Sequence, residues 1–99
     1  MTLRKRLTLQ TMVIDVMSLT GDAVDNVPGV KGIGKVTAAK IINRWGSLDA
    51  ALLSAITGYR DSVMTDRIAL LLIEQMENAL MSRELVRLDR GGDEIEFAE

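Results

Sequence analysis

Gly21-Asp-Ala-Val-Asp-Asn-Val-Pro-Gly-Val-Lys-Gly-Ile-Gly-Lys35 decides how this 99-residue chain folds. The stretch holds the only proline and four of the eight glycines, at 21, 29, 32 and 34. Such spacing admits no helix or strand, so residues 22–34 form a structured loop. Before it, Met12, Val13, Val16, Met17 and Leu19 fall on or near one stripe and predict a helix over residues 11–19. After it, Ala38, Ala39, Ile41, Ile42 and Trp45 line a second helix that starts near Lys35 or Val36 and stops at Gly46. Ser47 N-caps a short helix over residues 48–55, which Thr57 and Gly58 end. Residues 61–88 are helical again, capped by Thr65 or Asp61, with a break expected near residues 74–77 although no Gly or Pro marks it. Gly91-Gly92 ends the helical region, and Asp93-Glu-Ile-Glu-Phe97 alternates as a short strand or extended tail does. The fold class is all-α: four to five short helices around an irregular loop, with a short C-terminal strand as the one candidate β element.

Length and composition fit one globular domain. Hydrophobic residues are 47%, charged residues 26% and aromatics only 3%, so the core is aliphatic and the internal methionines are core fillers. The chain lacks cysteine and histidine, which excludes disulfides, thiolate chemistry, His-activated nucleophiles and His-bound zinc. Carboxylates, hydroxyls, lysines or a carboxylate-bound metal remain. No apolar run approaches the ~20 residues of a membrane span, and no h-region follows the basic Arg4-Lys5-Arg6, so the expected address is cytoplasmic. Residues 1–10 read as a basic, solvated segment.

The net charge of −2 is unevenly spread. Residues 27–60 carry Lys31, Lys35, Lys40, Arg44 and Arg60 against Asp49 alone, while residues 61–99 carry four arginines against ten acids. A phosphate feels the local field within about 8–10 Å, not the total. Within the loop, glycines 32 and 34 let the backbone approach a ligand closely, and the following helix start offers unpaired N–H groups to an anion. Lys31 and Lys35 flank that point, and Lys40 and Arg44 share one helix face. Neither a Walker A nor a dinucleotide motif is present. An ordinary glycine-rich helix–helix turn accounts for the same residues. Asp22 and Asp25, three apart beside the loop, suit an oxygen-liganded Mg²⁺ or Mn²⁺; as plain caps of the loop they need no metal.

Taken together, Gly21-Asp22-x-x-Asp25-Asn26-Val27-Pro28-Gly29-Val30-Lys31-Gly32-Ile33-Gly34, Thr37-Ala38-x-Lys40-Ile41-Ile42 and Trp45-Gly46-Ser47-Leu48 resemble the helix–three-turn–helix region of the 5′→3′ exonuclease/flap endonuclease family. The resemblance covers residues 11–97 and is nearest to the 5′ nuclease domain of bacterial DNA polymerases I. It implies that Val30, Lys31, Gly32, Ile33 and Gly34 form the hairpin of a helix–hairpin–helix element. That element grips duplex DNA through its phosphates, aided by Lys35, Thr37, Lys40 and Arg44. It further implies K⁺ held by the carbonyls of Val30 and Ile33, and a second Mg²⁺ or Mn²⁺ position at Asp22 and Asp25. Asp15 matches a helix position, not a ligand.

The family's remaining carboxylates belong to an α/β domain that residues 11–99 do not contain, so the chain alone is expected to be inactive as a nuclease. In Lys35-Val36-Thr37 the basic side chain stands one position off its family place. Trp45 is expected to staple its helix end into the core, Leu85 to be buried, and Arg83 and Glu84 to lie at the surface. The acidic C-terminal third should face away from the hairpin. Three functions compete: sequence-independent binding of duplex or flap DNA in replication and repair; one part of a nuclease completed by a separate α/β domain; and a helical protein-interaction domain that keeps the hairpin without binding DNA.

Overall fold

The computed structural model describes the backbone of residues 3–95 and the side chains of residues 10–88. Five helices follow in order: α1 (Leu3–Thr20), α2 (Lys35–Trp45), α3 (Leu48–Thr57), α4 (Asp66–Glu74) and α5 (Met76–Ile95). The two long helices, α1 and α5, pack against one another; α2 also packs on α1, and α3 pairs with α4. Among the described residues there is no sheet, only an isolated antiparallel bridge between Asp22 and Val27. No helix is long and apolar enough to cross a membrane, again among the described residues.

The helix boundaries follow local chemistry. Ser47 Oγ accepts from the Ala50 N–H and caps α3, and Thr65 Oγ1 accepts from the Ile68 N–H and caps α4. Asp61, the other expected cap, serves the preceding bend: its Oδ1 accepts from the N–H groups of Val63 and Met64 at 2.8 and 2.7 Å. Gly46 stops α2 with φ 85°. The expected break falls at Gln75, which separates α4 from α5.

Both outer helices exceed the sequence expectation. α1 starts at Leu3, not Thr11; nothing in residues 3–10 breaks a helix. α5 runs through Gly91-Gly92 to Ile95, which corrects the stop and the short C-terminal strand placed at residues 93–97. Glycine inside a helix costs only about 1 kcal/mol relative to alanine, and no neighbouring sheet offers a strand its ladder partner. Phe97 lies outside the described residues.

The core is aliphatic as composition requires, centred on Leu19, Ile41, Ile42, Leu48, Met64 and Leu72, each fully buried. Burying a side chain of this size contributes about 1.5–3 kcal/mol. Trp45 is half-buried against this core and meets Tyr59 edge-on at 6.1 Å. Asp15 is buried on α1, and its Oδ2 accepts the Leu48 N–H at 2.8 Å, so α1 caps the start of α3. Burial raises the Asp15 pKa against the lowering effect of that hydrogen bond and of the Arg83 charge. Leu85 is half-buried. Arg83 is not at the surface: its side chain is 14% exposed and pairs with Asp49 at 2.9 Å. An aliphatic stem and a forked head let it reach across the packed helices to an exposed acid.

Candidate nucleic-acid interface

The loop between α1 and α2 is built in two parts. In the first, Asp22 and Val27 exchange backbone hydrogen bonds, both 2.8 Å, and close residues 23–26 into a turn. Asp22 Oδ1 accepts the N–H groups of Val24 and Asp25 at 3.0 and 3.4 Å. The Asp22 carboxylate therefore lies against the Asp25 backbone as an Asx turn. Asp25 is exposed. Asp22 and Asp25 thus share one short turn beyond the end of α1. No group of three His, Cys, Asp or Glu side chains placed to hold a metal exists among the described residues.

The second part carries residues 30–34. Val30 and Ile33 are buried, and these two apolar side chains hold the turn down while Lys31, Gly32 and Gly34 stay exposed. The Val30 carbonyl accepts the Ile33 N–H at 3.2 Å, and Gly32 has φ 99°, as the third position of a type II turn demands. The Leu19 carbonyl accepts the Val30 N–H, and Ser82 Oγ accepts the Gly29 N–H, each at 2.8 Å. Gly29 passes so close to Gly21 that a Cβ there would stand 2.6 Å from the Gly21 nitrogen.

α4 supports the turn from below. Arg67, Leu71 and Gln75 are spaced four apart and form one helical stripe. Gln75 Oε1 accepts the Lys31 N–H at 2.8 Å, and its Nε2 donates to the Lys31 carbonyl at 3.0 Å. Arg67 Nη2 donates to the Gly32 carbonyl at 3.2 Å. A Cβ on Gly32 would stand 2.9 Å from Leu71 Cδ1. The C-terminal third therefore touches the turn, through residues none of which is acidic.

The turn feeds straight into α2. Its N-cap, Gly34, has no side chain to occupy the first-turn N–H groups, and nothing lies within 4 Å of where a Cβ would be. The first bond of the helix joins Ala38 to Gly34, so the N–H groups of Lys35, Val36 and Thr37 carry the positive end of the helix. No acid sits in that turn. Lys31, Lys35 and Lys40 are exposed, and none of them joins an ion pair among the described residues. Thr37 is half-buried.

Arg44 is differently placed. Its Nε donates to Asp61 Oδ2 at 3.0 Å, its Nη2 donates to the Tyr59 hydroxyl at 2.7 Å, and its guanidinium lies over the rings of Trp45 and Tyr59 at 5.2 and 5.7 Å. The hydrogen bond to Asp61 raises its pKa further. Lys40 and Arg44 share a helix face, but only Lys40 is without a carboxylate partner there.

Sequence reasoning missed Gln75, Arg67 and Ser82 as supports of the turn. The signal for the first two was the four-residue spacing of Arg67 and Gln75 around Leu71, either side of the apolar run of residues 68–73. Ser82 stands in mid-helix between Ala79 and Val86 on the buried face, and its partner, the Gly29 N–H, is 53 positions away.

A family model described as 5′-3′ exonuclease, C-terminal SAM fold, matches residues 9–97. DNA polymerase I of Rhizobium leguminosarum is 41% identical over 75 residues, which is 76% of this chain and 7% of the polymerase. The thermostable DNA polymerase I of Thermus aquaticus is 60% identical over 38 residues, 38% of this chain and 5% of that one. Flap endonuclease Xni of Colwellia psychrerythraea is 40% identical over 78 residues, 79% of this chain and 24% of the endonuclease. No solved structure gives a significant match. The chain thus spans a quarter or less of the length of these relatives. The matched region includes both parts of the loop, the stripe of α4 beneath it and Ser82, and the chain belongs to the 5′-3′ exonuclease family as its C-terminal SAM-fold domain.

Proposed function

We propose that this domain binds duplex DNA without regard to sequence, through backbone phosphates, and serves as the C-terminal DNA grip of a 5′→3′ exonuclease or flap endonuclease in replication and repair. One observation carries this reading: an uncapped helix start, approached through a glycine turn and flanked by Lys31, Lys35 and Lys40, which are exposed and lack an acid partner among the described residues. The N–H groups at residues 34–37 receive a phosphate oxygen. Lys31, Lys35 and Lys40 neutralise it and its neighbours, Thr37 adds a hydroxyl, and Arg44 meets the backbone at the far end of α2. The carbonyls of Val30 and Ile33 would hold a K⁺, which would supply positive charge beside a phosphate; the Val30 carbonyl also accepts the Ile33 N–H.

The donor set at Asp22 and Asp25 fits a shared metal site and does not complete one. When a Mg²⁺ or Mn²⁺ pair is bound in the whole nuclease, it activates water and neutralises the charge of phosphodiester displacement. This chain's share is two carboxylates, one of which already accepts two backbone N–H groups. The domain alone binds and does not hydrolyse; a separate α/β nuclease domain supplies the other ligands.

Four phosphate contacts give a log–log salt slope near −3.6 and a Kd of about 10⁻⁴–10⁻⁶ M. Fluorescence anisotropy of a labelled duplex with a 5′ flap, run at ~20 to ~200 mM KCl with and without Mg²⁺, tests this. Salt-sensitive binding that Lys31→Ala with Lys40→Ala abolishes is expected, without cleavage of the DNA. Absence of binding even at the lowest salt would sink the reading and favour the protein-interaction domain, for which the net acidity speaks.

A further inference from the structure

The stripe under the turn contains one charge, that of Arg67, which supports the turn through a single hydrogen bond and is paired with no acid among the described residues. Arg67 is exposed, and its Nη2 hydrogen bond to the Gly32 carbonyl fixes the guanidinium beside the turn. A guanidinium carries five N–H donors in a planar fork, so most of the fork stays open. Arg44, Arg60, Arg83 and Arg87 each pair with an acid. Arg67 joins no ion pair among the described residues, and the positions three and four residues away on either side are Val63, Met64, Leu70 and Leu71.

We propose that Arg67 is a phosphate ligand contributed by α4, gripping the DNA backbone next to the phosphate held at the start of α2. The inference rests on the DNA-binding reading above and extends it to a second helix. The bond to Gly32 restricts the side chain before DNA arrives, so less rotamer freedom is lost on binding. The fork also suits two oxygens of one phosphate, which a lysine cannot match. With α2 and α4 each holding a phosphate, the strand is fixed at two points and its path over the turn is set.

The test is the salt dependence of duplex binding by the wild type, Arg67→Gln and Arg67→Lys, with thermal melts of each. Gln keeps a polar stem and removes the charge; its amide ends two bonds short of Nη2, so the exposed Gly32 hydrogen bond is given up with it. Arg67→Gln is expected to flatten the log–log slope by about 0.9, the value of one phosphate contact, with little change in melting. Arg67→Lys is expected to keep the slope at reduced affinity. A wild-type slope in Arg67→Gln overturns the inference, including the case where melting and affinity fall together with the slope intact, which marks a packing role. A wild type that shows no salt-sensitive binding instead overturns the DNA-binding reading itself, and no variant is needed to see it.

Discussion

The side chain of Gln75 hydrogen-bonds both backbone polar groups of Lys31, 44 positions away, as a neighbouring strand would. The residue that interrupts α4 and α5 is therefore the one that sets the height of the exposed turn. Gln75→Ala should weaken duplex binding roughly fivefold, equivalent to about 1 kcal/mol. The salt slope should stay as in the wild type, because no phosphate contact is removed. Gln75→Glu should be worse, since it loses the donor to the Lys31 carbonyl and adds an anion to the site. Anisotropy titrations at two salt concentrations separate the outcomes.

Two glycines of the loop should differ in their tolerance of alanine. At Gly32 the obstacles are its φ of 99° and the flexible end of Leu71. The backbone strain is about 1–2 kcal/mol, and Leu71→Ala should relieve only the clash. At Gly29 the Cβ would meet the backbone of Thr20 and Gly21 at 2.6–2.8 Å, which cannot move without shifting the end of α1. Urea denaturation should show Gly29→Ala as the more damaging change, with no rescue from Leu71→Ala.

Asp15 should be needed as an acceptor more than as a charge. Asp15→Ala strands the buried Leu48 N–H and should destabilise the fold by about 1–3 kcal/mol. Asp15→Asn keeps an acceptor there and should be milder. The folded pKa is raised, so the folded state holds its proton more tightly than the unfolded chain. Stability from this group is present below the unfolded value of about 4 and declines as pH rises past it. Urea midpoints should therefore shift in favour of Asp15→Asn, relative to the wild type, as pH climbs above about 4.

Asp61 has the opposite sign. Hydrogen bonds from the Met64 and Val63 N–H groups and from Arg44 lower its pKa to about 2. The unfolded chain binds the proton more readily, so its stabilising effect is complete above about 4 and is lost as pH falls toward 2. Asp61→Asn should flatten the acid limb of the stability curve. It should also release Arg44 from its ion pair, which a lower melting temperature at neutral pH would register.

Most of the fold was legible because its punctuation is local. Gly46, Ser47 and Thr65 act through bonds within four residues, and the pattern of those residues is visible in the sequence. The break at Gln75 was placed by length alone; the partner of the residue that stands there, the Lys31 backbone, is distant in sequence. Gly91-Gly92 misled because a glycine pair stops a helix only where the chain has somewhere else to go. The phosphate-site candidates were legible as a cluster of glycine and lysine. Their supports were not, since Arg67, Gln75 and Ser82 act across 35 to 53 positions. Arg44 looked like Lys40 because the partner that distinguishes them, Asp61, lies past the end of α3.

The bond from the Gly29 N–H to Ser82, with those of Val30 to Leu19 and Lys31 to Gln75, ties three consecutive amides to three different helices or helix ends. An exposed glycine turn held in this way has no private route to opening. In native-state hydrogen–deuterium exchange, the amides of residues 29–31 should exchange with the interior of α5, as one cooperative unit. Those of residues 24 and 25, secured only within their own turn, should exchange far sooner. The exposed turn is then as slow to deform as the core, and its shape does not wait on a ligand.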